Sequence, residues 1–310
     1  MLRQMLALAG ALALSGCITP YPDLSQSRSP CRMEPGGWCG FVREAAVKSY
    51  PYAMLSTDAY EDKDEYDELP PQFKRRGVAD NDESGLAYAV FDRFVLDRSG
   101  NLEKLAARVI AFRGTDGVST SDIFSGSLGD SQRKGARQVY AAERAALDAL
   151  GNSSVPIEVT GHSLGGALAT QISIENPDVK AYVFNSSPFF SGDSTVNDSK
   201  RMAVSERGEF LRVLRQYKTA SEADIFVLNC SPSASAGSKH SIRKLADCLT
   251  WIAAYDDPSA LAVIAPNNIK KPEVECGQPD KVHPGLGFRG SSPCVHAVPK
   301  KVKEEPGEAS

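Results

Sequence analysis

The chain has 310 residues, 42% of them hydrophobic and 24% charged, enough apolar material for one substantial core. Its net charge of -4 and the lack of a basic stripe exclude nucleic acid as a natural partner. The lysines and arginines are scattered, apart from a short cluster at Lys74-Arg75-Arg76 that reads as a solvated loop.

Arg3 precedes an apolar run from Met5 to Leu14, too short to span a bilayer, that ends in Leu14-Ser15-Gly16-Cys17. This ending resembles the lipobox of bacterial lipoproteins. The resemblance implies a signal peptide over residues 1–16 and lipidation of Cys17, which becomes the new N-terminus. Because Ile18 follows, and not Asp, it also implies an outer-membrane lipoprotein of the cell envelope. Acyl chains there would attach the protein to the membrane, at ~0.8 kcal/mol per buried methylene. An ordinary export signal with Cys17 near the cut is the alternative, and either reading places the domain outside the cytosol. Residues 17–39, rich in Pro and Ser, are expected to form a tether.

Export makes disulfides the expected fate of the remaining cysteines, Cys31, Cys39, Cys230, Cys248, Cys276 and Cys294. Pairing of neighbours is the simplest arrangement: Cys31 with Cys39, Cys230 with Cys248, and Cys276 with Cys294. No C-x-x-C occurs and the histidines do not cluster with cysteines, so no metal site is expected.

From Phe41 the spacing of Val42, Ala45, Ala46 and Tyr50 predicts a helix. The acidic stretch from Asp58 to Glu68 reads as a solvated face. Gly85 to Val90 and Val109 to Phe112 are predicted strands, with turn chemistry at Asp97-Arg98-Ser99-Gly100-Asn101 between them. Thr115 to Ser131 is expected as a loop. Arg137 to Leu150 is predicted helical, with Val139, Ala142, Ala146 and Leu150 on one side. Further strands are expected at Ala181 to Phe184, Met202 to Val204 and Ile225 to Leu228, and a helix from His240 to Trp251 with Ile242, Leu245, Leu249 and Ile252 inward. Alternating strands and helices with buried apolar strands point to a mostly parallel sheet with helices on both faces. One α/β domain is expected over 40–265, and a disulfide-stapled segment and disordered tail over 266–310.

The most informative stretch is Thr160-Gly161-His162-Ser163-Leu164-Gly165-Gly166. Val155, Ile157 and Val159 alternate into it and Ala167-Leu168-Ala169 leads out, so it reads as a strand, a sharp corner and a helix. Such a corner needs small residues at Gly161 and Gly165 and exposes the hydroxyl of Ser163 as a nucleophile. Together with Val109-Ile110-Ala111-Phe112-Arg113-Gly114-Thr115-Asp116 about fifty residues earlier, it resembles the class 3 lipases, over roughly residues 70–255. That resemblance implies an α/β-hydrolase fold, an oxyanion hole formed at Thr115 and by the Leu164 N–H, and a structural role for Arg113.

Ser163 requires a base, and the chain has only four histidines. His162 adjoins the nucleophile, with a side chain expected to point elsewhere. His283 and His296 lie in the Pro/Gly-rich tail. His240 follows a strand and a loop, and His240-Ser241-Ile242 resembles the family's pattern, so His240 is the preferred base and His283 its rival. The acid should follow a strand end on the edge of Ser163. Gly208-Glu209-Phe210-Leu211 resembles the family's acid segment, with Glu in place of Asp, which favours Glu209. Asp224 and Glu206 stay open as rivals, Glu206 reading mainly as a surface charge. The expected function is hydrolysis of lipid carboxylic esters, by a lipase, phospholipase or esterase, through an acyl-enzyme and without a cofactor. Residues 116–133 are a candidate lid, polar and Gly-rich. The alternative is a catalytically inactive hydrolase-fold envelope lipoprotein.

Overall fold

A computed structural model describes residues 31, 34–60, 65–79, 86–114, 127–211, 215, 224–272 and 274–275. A seven-stranded sheet runs through it in chain order: β1 (Phe73–Ala79), β2 (Tyr88–Leu96), β3 (Leu102–Phe112), β4 (Ile157–His162), β5 (Lys180–Phe184), β6 (Arg201–Glu206) and β7 (Asp224–Leu228). The first three strands pair antiparallel, and β3 through β7 pair parallel. A mostly parallel sheet with helices on both faces, turning sharply from β4 into a helix at Ser163, is an α/β-hydrolase fold.

The strand order explains how the sheet is covered. Right-handed crossovers between strands laid down in sequence place their helices on one face. Accordingly α2 (Ser127–Ala149) and α3 (Leu164–Glu175) share a core with Ile110, Phe112, Val159 and Val183. The opposite face is covered from the two ends of the fold. There α1 (Gly40–Asp58) packs along α5 (Ile242–Ala253), over Ala89, Phe91, Val109 and Ala111. Adjacent residues of β3 thus serve opposite cores, as the two-residue period of a strand requires. Two short helices, α4 (Ala236–Lys239) and α6 (Pro258–Ala262), flank α5. Among the described residues no helix is long and apolar enough to cross a membrane.

Several local expectations change. Helix α1 continues through Pro51 to Asp58 because its second half is buried throughout, which outweighs the backbone bond that proline removes. Asp58 is not a solvated charge: its Oδ1 accepts the Tyr66 N–H at 3.0 Å, and both residues are buried. Burial, only partly offset by that bond and by Arg75 and Arg243, pushes its carboxyl up to about 6. The Lys74-Arg75-Arg76 cluster lies in β1, where charge suits an edge strand. Helix α2 begins at Ser127, ten residues before Arg137, so the rear of the candidate lid is helical. Its buried side carries Ala136 and Leu147, whereas Ala142 and Leu150 are exposed. Both flanks of the expected 40–265 domain contribute to the core: Trp38 and Cys39 are buried on one side, Ile269 and Val274 on the other. The Trp38 indole N–H reaches Glu275 Oε2 at 3.2 Å and ties the two flanks together.

Candidate active site

Ser163 stands between β4 and α3 with φ 54° and ψ -122°, a conformation that non-glycine residues adopt only under constraint. The constraint is visible. A Cβ on Gly165 would lie 2.0 Å from the Phe112 carbonyl oxygen, and one on Gly161 would lie 2.4 Å from Gly165. The Ser163 N–H donates to the Phe184 carbonyl at 3.1 Å, and its own carbonyl accepts the Ser187 N–H at 2.9 Å. The corner is therefore pinned against the ends of β3 and β5.

His240 approaches from the end of β7. Ser235 caps α4 through the Ser238 N–H, and Ser241 caps α5 through the Lys244 N–H. His240 sits at the joint between these two helices and does not open the longer one, because Ser241 takes the capping position. Its Nε2 is 3.0 Å from Ser163 Oγ and its Nδ1 is 3.0 Å from Glu209 Oε2. Its ring lies between those of Phe210 and His162, with centroids 4.4 and 4.7 Å away. Asn185 holds the same region: its Nδ2 donates to the Lys239 carbonyl at 3.2 Å and its Oδ1 accepts the Glu206 N–H at 2.8 Å.

Glu209 is buried. Its Oε2 also accepts the Leu211 N–H at 2.9 Å, and its Oε1 pairs with Arg215, whose Nη1 donates to the Ser186 carbonyl at 2.7 Å. Burial alone would raise the Glu209 carboxyl. The bond to His240, the Arg215 charge and the Leu211 N–H outweigh it, and the group stays below the ordinary carboxylate range. It is thus a carboxylate at neutral pH, aimed at the imidazole.

The rival acids lie elsewhere. Glu206 is buried, which corrects its reading as a surface charge, and its carboxylate accepts the N–H groups of Cys230 at 3.1 Å and Ser231 at 3.0 Å. It ties the end of β6 to the segment after β7. Asp224 begins β7 opposite Met202, whereas Glu206 pairs with Leu228 at the other end, so Asp224 occupies the far edge and is exposed. Leu164 is the first residue of α3, where backbone N–H groups lack helical partners. Disulfides join Cys31 to Cys39 and Cys230 to Cys248. Thr115, Cys17, Cys276, Cys294, His283 and His296 lie outside the described residues. Among the described residues no group of three or more His, Cys, Asp or Glu is arranged to hold a metal ion.

The residues packed behind His240 were not among the expected site residues in these roles. His162 is buried behind His240, its Nε2 2.6 Å from the His240 carbonyl oxygen and its Nδ1 2.9 Å from the Tyr60 hydroxyl. Burial, with the neighbouring His240, holds its pKa well below the ordinary histidine range, so the ring is neutral. The Arg113 guanidinium lies 5.5 Å from the Tyr60 ring centroid. One signal was available: polar residues alternate at Glu158, Thr160 and His162, while Tyr52, Ser56 and Tyr60 recur at helical spacing.

Several solved lipases are similar in structure at low sequence identity. Lipase II from Rhizopus niveus matches with a TM-score of 0.41 and 15% identity, over 56% of this chain and 77% of that one. A triacylglycerol lipase from Penicillium expansum matches with a TM-score of 0.44 and 11% identity, over 64% and 89%. No protein of curated function matches the sequence. Residues 51–254 match the phospholipase-like family described as the Tle-like phospholipase domain. That match begins at Pro51 in α1 and ends just after α5, spanning the whole sheet and every residue of the Ser163–His240–Glu209 chain. The protein belongs to the family of Tle-like phospholipase domains.

Proposed function

We propose that this protein is a serine hydrolase that cleaves carboxylic esters of membrane lipids, phospholipids foremost, through an acyl-enzyme. The observation that carries the reading is the hydrogen-bonded chain from Ser163 Oγ through His240 to a buried Glu209 carboxylate. Its geometry suits nucleophilic catalysis: base and nucleophile are within reach, and a third group orients the base. Glu209 accepts a hydrogen bond from the N–H at His240 Nδ1, which leaves Nε2 as the acceptor. His240 takes the Ser163 proton as Oγ attacks the acyl carbonyl. The Leu164 N–H stabilises the developing oxyanion, helped by the positive end of α3, and the resemblance to class 3 lipases adds Thr115. His240 then gives its proton to the departing alcohol, and water repeats the sequence on the acyl-enzyme. No step calls for a cofactor. The family membership supports phospholipid as the substrate class. Leu14-Ser15-Gly16-Cys17 supports a lipid anchor at Cys17 that keeps the enzyme beside its membrane substrate in the bacterial envelope.

The test is labelling by a fluorophosphonate, followed by hydrolysis assays on phosphatidylcholine, triolein and p-nitrophenyl esters of rising chain length. The wild type should label and Ser163→Ala should not, with phospholipid cleaved at the highest kcat/KM. A folded wild type that neither labels nor hydrolyses any ester would overturn this reading in favour of a catalytically inactive hydrolase fold.

A further inference from the structure

Helix α1, with the turn that follows it to Tyr60, meets strand β4 through a ladder of polar pairs. The Tyr52 hydroxyl donates to Glu158 Oε2 at 2.5 Å, the Ser56 and Thr160 hydroxyls share a bond of 2.8 Å, and the Tyr60 hydroxyl lies 2.9 Å from His162 Nδ1. The rungs advance four residues along the helical spacing and two along the strand. Four helical residues rise about 6 Å and two strand residues about 6.7 Å. The two repeats therefore stay in step while both segments run in the same direction. The alternate residues Ile157 and Val159 of β4 face the other core.

The last rung differs from the others because it ends on the active site. The Gly114 N–H donates to the Tyr60 hydroxyl oxygen at 3.2 Å, and Gly114 directly precedes Thr115. The His240 carbonyl can only accept, so the contact from His162 Nε2 places the ring proton on that nitrogen. A neutral ring then has an accepting Nδ1, and the Tyr60 hydroxyl must donate to it. The direction is set throughout: Gly114 N–H to Tyr60, Tyr60 to His162, His162 to the His240 carbonyl. The packing leaves no slack, since a Cβ on Gly114 would lie 2.5 Å from the Tyr60 hydroxyl and 2.7 Å from the His162 carbonyl.

We propose that Tyr60 and His162 are positioning residues, a tautomer-locked pair that holds the backbone of the base His240 in register with the strand end leading to Thr115. This deepens the serine-hydrolase reading and rests on it. Losing the Tyr60 hydroxyl removes the donor to Nδ1 and the acceptor for the Gly114 N–H. The His162 ring keeps its proton on Nε2 but loses its anchor at Nδ1, and a ring free to tilt holds the His240 carbonyl less firmly. Small displacements of a base cost turnover far more than they cost binding.

The experiment compares Tyr60→Phe, His162→Gln, His162→Leu and Ser56→Ala, with Ser163→Ala as the control. Active sites are titrated with fluorophosphonate, and folding is followed by circular dichroism and thermal melting. Tyr60→Phe and His162→Leu should each lower kcat, and the rate constant of fluorophosphonate labelling, by about tenfold or more, with KM changed less than about twofold. His162→Gln should recover most of that loss, because its amide can still donate to the His240 carbonyl. Ser56→Ala, which removes a middle rung, should lower the melting temperature and leave kcat per titrated site unchanged. If Tyr60→Phe and His162→Leu melt earlier but keep wild-type kcat and labelling rate, the pair is structural and the inference is overturned. If Ser163→Ala retains activity, the serine-hydrolase reading fails first and for a separate reason.

Discussion

Replacing Glu209 with Gln tests the assignment of the acid. The change keeps the side-chain shape and removes the negative charge that faces His240 Nδ1 at 3.0 Å. Opposite charges about 4 Å apart in a partly buried site attract by about 4 kcal/mol at an effective dielectric constant of ~20. That energy is available only once His240 becomes an imidazolium, so it acts on the transition state. At about 1.4 kcal/mol per factor of ten, the ceiling is about a thousandfold in kcat. Arg215 already engages the other carboxylate oxygen and draws off part of the charge, which lowers the figure. We expect kcat to fall between about tenfold and a thousandfold, with KM little changed because the carboxylate touches no substrate atom. Asp224→Asn should be neutral, since Asp224 sits exposed at the far end of the sheet. Steady-state kinetics per fluorophosphonate-titrated site decide between them. A crippled Asp224→Asn beside an active Glu209→Gln would refute the reasoning.

Replacing Cys230 and Cys248 by Ser opens a loop with a sequence separation of 18 that contains His240. It should cost about 3 kcal/mol in urea unfolding and lower kcat as well, and unchanged values for both would refute a supporting role for the bridge. The Asp58 carboxyl titrates at about 6 in the fold against an ordinary 3.8. The folded state therefore keeps a proton that the unfolded chain has released, and stability falls as pH rises through that window. Asp58→Asn retains an acceptor for the Tyr66 N–H. It should match the wild type near pH 4 and exceed it by up to about 3 kcal/mol at pH 8, and an equal difference at both pH values in urea titrations would exclude this cause. Glu206→Gln leaves one oxygen for two backbone N–H groups, because the amide NH2 cannot accept. It should cost about 1–3 kcal/mol of stability, while kcat per titrated site stays near wild type. Intact-mass analysis of the N-terminal peptide should show acylated Cys17 as the first residue; a free amino terminus elsewhere would overturn the anchor.

The mostly parallel architecture and the corner at its centre were legible in the residues alone, whereas edge strand β1 had read as a solvated loop. The apolar strand at Ala181 to Phe184, and the alternation of Val155, Ile157 and Val159 into a strand-to-helix corner, point to a covered, mostly parallel sheet. Gly161 and Gly165 announce the sharp turn because no other residue tolerates the contacts found there. These are local properties, written in periodicity and in the absence of a side chain. Sequence could name Ser163, His240 and Glu209 as candidates. It could not bring them together, because their separations are set by where β4, β6 and β7 end, which is a property of the sheet. Burial was equally beyond its reach. Asp58 and Glu206 look like surface charges in a polar stretch, and only the packed fold shows that backbone N–H groups draw them inside. Tyr60 and His162 were hidden for the same reason. A four-residue period on one segment and a two-residue period on another, 102 positions apart at that rung, become one ladder only when the helix lies along the strand.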